Sequence, residues 1–221
     1  LGCFMMNQNE LVMRAGVGLA MYFVDFQKKQ KIVFNIIMAL MALYALVLTG
    51  SRSSMIGFLL VTLYFTKNSN IKIIKLGVVV GFVLSLPLII NVIFLKMGDL
   101  EEVLSMTGRL PFWKALITEA LPNEPFFGFG FMRIYYTDYF AGTHTYAAKM
   151  THNTFVQVLL NLGFVGFTVV LFQMIFTFRA FFKSKDKDAK VFFTGVSIPI
   201  IINSFTEFGI FGEANYGILF Y

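Results

Sequence analysis

Long apolar runs separated by short polar breaks mark out this chain. The runs are Leu11 to Phe26, interrupted by Arg14; Ile32 to Leu48; Met55 to Thr66; Leu76 to Leu95, with Pro87 inside; Asn153 to Ala180; and Val191 to Phe205, with Pro199 inside. A membrane-crossing helix needs about 20 mainly apolar residues, and an interior proline kinks a helix. The pattern predicts an all-α fold, a polytopic integral membrane helix bundle of about six transmembrane helices. The third run is short, so it needs part of the Ser51 to Ser54 turn to cross. That puts Arg52 at or just inside the membrane edge. Gly217 to Tyr221 is a possible start of a further helix.

The breaks alternate in character. Lys28, Lys29 and Lys31 fall in one, Lys67, Lys72 and Lys75 in another, and Arg179, Lys183, Lys185, Lys187 and Lys190 in a third. Basic loops stay on the cytoplasmic side. The N-terminus, the segment Thr49 to Ser54, the segment 96–152 and the tail then face outward. Segment 96–152 is one large outward loop in a single membrane domain, 1–221. Within it, Phe112, Trp113, Leu116, Ile117, Ala120 and Leu121 recur at helical spacing. They predict an amphipathic helix on the membrane surface, with Trp113 as an interfacial anchor. Pro111 suits its first turn and Pro122 lies past its end. Phe126 to Met132 reads as a Gly-aromatic turn, re-entrant if its backbone is buried in protein. Gly163 and Gly166 are expected to permit close helix packing.

Composition agrees. Hydrophobic residues make up 57% and charged residues 14%, where soluble domains carry about 25% charged. The net charge of +6 therefore belongs to loop topology and not to nucleic-acid binding. A lone cysteine, Cys3, excludes an intrachain disulfide framework and a cysteine metal site. No signal-peptide pattern opens the chain. With no initiator methionine at Leu1, a fragment lacking upstream helices is expected.

Four residues are candidates for chemistry. Arg52 is intramembrane charge or a snorkelling edge residue. Arg109 precedes the amphipathic helix, whose N-terminal N–H groups would add to an anion site; the plain alternative is a headgroup contact. Arg133 binds an anion or pairs with a loop acid. His152 stands at the outer start of the fifth helix, beside Thr151 and Asn153 as possible caps. The partial positive charge there favours a neutral ring able to accept a proton; the alternative is a capping histidine. His144 reads as loop. The histidine spacing gives no zinc motif, and there is no phosphate-binding loop, dinucleotide fingerprint or nucleophile elbow.

In order and spacing, TGSRSS at Thr49, TGRLPFWKAL at Thr107, PFFGFGF at Pro125 and THNTFVQVLLNLGFVG at Thr151 resemble the O-antigen ligase and polymerase family of bacterial membrane proteins. Pro111 departs from it, since the family more often has a helix former there. The resemblance implies a multi-pass protein of the bacterial plasma membrane. It implies metal-independent, cofactor-free, inverting glycosyl transfer on the outer face. The donor would be a glycan on undecaprenyl diphosphate. The acceptor would be another lipid-linked glycan for a polymerase or lipid A-core for a ligase. Partners would be these substrates and membrane lipids, with no nucleic acid. Arg52, Arg109 and Arg133 would bind the diphosphate, and His152 would be the catalytic base. A transporter or flippase of a lipid-linked or anionic substrate is the alternative, and a structural assembly subunit is a third reading.

Overall fold

The computed structural model describes residues 31–49, 52–69, 104–131, 133–141 and 150–206, with residues 18, 21, 22, 25 and 75. Its α-helices are α1 (Ile32–Thr49), α2 (Arg52–Asn68), α3 (Arg109–Ala115), α4 (Thr154–Lys183) and α5 (Lys187–Ser204). No strand occurs among the described residues, so the all-α expectation holds. One described helix, α4, is long and apolar enough to cross a membrane by length and composition. The six-span expectation is not established by it. Most of Leu11 to Phe26, Leu76 to Leu95, the tail after Thr206 and His144 lie outside the described residues.

Two boundaries differ from those predicted. α2 begins at Arg52, so Arg52, Ser53 and Ser54 form its first turn instead of preceding it. α5 begins at Lys187, ahead of Val191, because the Asp186 carboxylate accepts from Ala189 N at 3.0 Å. An N-cap of this kind satisfies an otherwise orphaned donor. The basic loop therefore shrinks to the residues between Lys183 and Lys187.

α2 and α5 pack closely through small residues. Val61, Phe65, Val196 and Ile200 form their shared core. A side chain at Gly195 would overlap the Phe65 ring, and one at Gly57 would stand 3.4 Å from Pro199 Cα. Position 57 meets 199 and position 65 meets 195, so the helices are antiparallel. Arg52 is five residues beyond Gly57, about 7.5 Å toward the C-terminal end of α5.

α4 is not one straight rod. Gly163 has φ 62° and ψ −169°, a region essentially closed to other residues. A break leaves carbonyls before it and N–H groups after it without helical partners. The segment from Pro125 to Gly130 supplies them. Phe129 N donates to Leu160 O at 2.8 Å and Gly130 N to Asn161 O at 3.0 Å. Phe164 N donates to Pro125 O at 2.8 Å and Val165 N to Phe126 O at 3.1 Å. A Cβ on Gly128 would lie 2.5 Å from Leu160 O, and one on Gly163 would overlap the Phe126 carbonyl. Gly163 thus does a different job from the helix packing expected of it.

The bend brings two distant ends together. The rings of Phe181 and Phe193 stack at 3.6 Å, and Asn153 Nδ2 donates to Phe205 O at 3.2 Å. Phe193 to Phe205 is about 18 Å of helix, whereas a straight α4 would put Asn153 about 42 Å from Phe181. Both contacts hold because the first segment of α4 folds back at Gly163.

The amphipathic loop helix exists, but its apolar face meets protein. α3 continues as a π-helical turn, Leu116–Ala120, and a 3-10 turn, Leu121–Asn123. Phe112, Leu116, Ala120 and Leu121 are buried with Ile134, Val156 and Leu160. Phe112 also packs edge-on against Tyr136 at 5.8 Å. Trp113, expected as an interfacial anchor, is half-buried, and its Nε1 donates to Thr151 O at 2.7 Å. The helix expected on the membrane surface thus lids the first α4 segment with its Phe112, Leu116, Ala120 and Leu121 side.

Candidate functional site

Arg109 opens α3 after a run of left-handed backbone: Met106 at φ 52°, Thr107 at 64° and Gly108 at 81°. Left-handed helical conformation costs a side-chain-bearing residue about 1–2 kcal/mol. The run consumes the donors ahead of the helix. Gly108 N donates to Ser105 Oγ at 3.1 Å, Arg109 N to Met106 O at 3.4 Å and Leu110 N to Ser105 O at 3.1 Å. Pro111 has no N–H. The N-terminal N–H groups expected to add to an anion site are therefore already engaged or missing at positions 108–111. Arg109 Nη1 donates to the Thr206 carbonyl, just past α5. A guanidinium carries five donors in a planar fork, so this tie commits one of them.

His152 is half-buried, in the left-handed region at φ 47°. Its neighbours are pinned on both sides. The Thr151 carbonyl accepts from Trp113. Asn153 caps α4, its Oδ1 accepting from Phe155 N at 2.9 Å and Val156 N at 3.1 Å. The capping role considered for His152 thus belongs to Asn153.

These pieces converge at the C-terminal end of α5. Thr206 O receives Arg109 and Phe205 O receives Asn153. The Phe155 and Phe205 rings meet at 4.9 Å. The antiparallel pairing brings the start of α2, with the Arg52 backbone, to the same end. Arg133 stands elsewhere. It is exposed on the Gly-aromatic turn, its stem alongside Gly130. Gly130 is anchored at Asn161, about 12 Å down α4 from Asn153. No group of three or more His, Cys, Asp or Glu suited to a metal occurs among the described residues.

Beneath His152 a buried polar ladder descends α4. Tyr136 Oη donates to Gln157 Oε1 at 2.9 Å. The single Thr151 hydroxyl proton lies between Gln157 Oε1 at 2.9 Å and Asn153 O at 3.1 Å. Gln157 Nε2 donates to Asn161 Oδ1 at 2.9 Å, and the Asn161 carbonyl holds Gly130. Burial pushes the Tyr136 phenol above its ordinary pKa, with the Gln157 hydrogen bond pulling the other way. The phenol is thus a neutral donor at neutral pH. The ladder connects the His152 segment to the Gly-aromatic turn through satisfied, rigid contacts.

The family model described as O-antigen ligase matches residues 13–171, well over half of the 221 residues. The chain belongs to the O-antigen ligase family. No curated protein and no solved structure matches it. Membership makes it a membrane-embedded protein of the glycosyl-transfer kind. Arg52, Arg109, Arg133 and His152 all fall within the matched region, while α5 and the Phe205 and Thr206 carbonyls just past it, which receive Asn153 and Arg109, follow it.

In this family member the residues that sequence reasoning missed are Gln157, Asn161 and Tyr136. A signal was present: Asn153, Gln157 and Asn161 repeat every four residues in an otherwise apolar run, which places three amides on one helix face. Gln157→Leu is expected to cost about 1–3 kcal/mol, because it strips half-buried Tyr136 and buried Thr151 of an acceptor. Thermal unfolding of the purified variant beside Gln157→Glu and wild type checks this.

Proposed function

We propose that the chain transfers or polymerises a glycan carried on undecaprenyl diphosphate, at the outer face of the bacterial plasma membrane. The observation that carries this reading is the meeting of Arg109 and the His152 segment at one end of α5. Arg52 and Arg109 clamp the diphosphate. Guanidinium groups suit this through bidentate, charge-assisted contacts. His152 accepts the proton of the acceptor hydroxyl as its oxygen attacks the anomeric carbon. The bond to the diphosphate breaks on the opposite side, and the anomeric centre inverts. The leaving electron pair stays on the diphosphate, where the arginines stabilise it without a metal. Arg133, on the turn, is left for a more distant part of the donor. The acceptor is a second lipid-linked glycan or lipid A-core.

Six spans, a single domain over 1–221 and an outward loop over 96–152 complete the proposal. A cysteine placed at Asp138 is expected to react with an impermeant reagent from outside intact cells, and one at Lys185 is not. The reverse pattern would overturn the orientation.

The transfer reading is tested with purified protein in vesicles carrying an undecaprenyl-diphosphate glycan. Lengthened or transferred glycan is expected. Movement of the donor between leaflets without transfer would assign a flippase instead.

A further inference from the structure

The Gly-aromatic turn presents three large apolar side chains that nothing among the described residues covers: Phe126 at 65%, Phe127 at 76% and Phe131 at 66% exposure. An aromatic side chain carries about 150–250 Å², so together they form a patch as large as the largest on ordinary soluble proteins, roughly 300–600 Å². The turn that carries them is fixed at the α4 break by four hydrogen bonds, made by Pro125, Phe126, Phe129 and Gly130. That position matters. Beyond the break, Phe164, Val165, Val169, Phe172, Ile175 and Phe176 are all exposed. Residues 164–183 measure about 30 Å at helical rise, the thickness of the hydrocarbon core. Arg179 and Lys183 lie in its last turns, as expected of long basic side chains that snorkel to a membrane boundary. The break at Gly163 therefore stands at the opposite boundary, and the three phenylalanines continue the lipid-facing surface of α4 there.

We propose that Phe126, Phe127 and Phe131 form a membrane-insertion element that enters the acyl region of the outer leaflet and seats the loop on the bilayer. Irregular backbone at that depth requires internal hydrogen bonds, and the interlock with α4 provides them. The inference rests on α4 crossing the bilayer and is independent of the transfer chemistry.

The test uses the full chain with Cys3→Ser, reconstituted in phosphatidylcholine–phosphatidylglycerol vesicles. Nitroxides are attached singly at Phe127→Cys, Phe131→Cys and Asp138→Cys, all exposed positions. Collision with oxygen, which partitions into lipid, is compared with collision with a water-soluble nickel chelate. Labels at 127 and 131 are expected to be several-fold more accessible to oxygen than to nickel, with the order reversed at 138. Nickel accessibility at 127 and 131 equal to that at 138 would overturn the proposal. So would shielding from both reagents, which would mean a protein partner.

Discussion

Gly163→Ala is expected to destabilise the protein by about 3 kcal/mol or more. Two costs combine. The backbone at φ 62° and ψ −169° charges a side-chain-bearing residue about 1–3 kcal/mol. The new Cβ also overlaps the Phe126 carbonyl and lies 2.6 Å from Phe127 N, so backbone must move. Moving it strains the four hydrogen bonds of the interlock, each worth about 0.5–1.5 kcal/mol net. Thermal unfolding in detergent reads the loss. Phe127→Ala, at an exposed position, is the control and is expected to leave the midpoint unchanged there. A Gly163→Ala midpoint equal to wild type would mean that the break does not hold the turn.

Removing the His152 ring is expected to lower turnover by about 10² to 10⁴, the usual scale of general-base catalysis. His152→Gly is the sharper variant. Glycine adopts φ 47° without strain, so the folded fraction should hold while the base is lost. Asn153→Ala provides the contrast: loss of an N-cap costs about 1 kcal/mol of stability, with the imidazole still present. His144→Ala is expected to be nearly silent. Turnover per folded molecule near wild type for His152→Gly would remove the ring from the chemistry.

The helices were legible because apolar runs have a simple cause. Ile32 to Leu48 and Asn153 to Ala180 match α1 and α4 to within a few residues. The ends that moved, at Arg52 and Lys187, are polar residues that periodicity counts as loop but a first turn accepts. The break in α4 was not legible. Gly163 within NLGFVG looks like any small residue in a helix, and its partner, Gly128, is 35 positions away. The tie made by Trp113 was not legible for a similar reason. An indole suits a membrane interface, but here the carbonyl of Thr151 was in reach. The site was half legible. Arg109 and His152 stand out as polar groups in apolar surroundings. The carbonyls of Phe205 and Thr206, where Asn153 and Arg109 meet the end of α5, carry no side-chain signature at all.

That Arg109 and His152 work in one site is measured most directly by a double-mutant cycle on glycan transfer, with rates normalised to folded protein. Arg109→Lys keeps the charge and loses the planar fork; His152→Gly loses the base. Residues acting as a unit are strongly non-additive. Each single variant is expected to lose most of its transfer, and the double variant to be no slower than the worse single. Losses that multiply in the double variant, or singles with near-normal rates, would contradict a shared site.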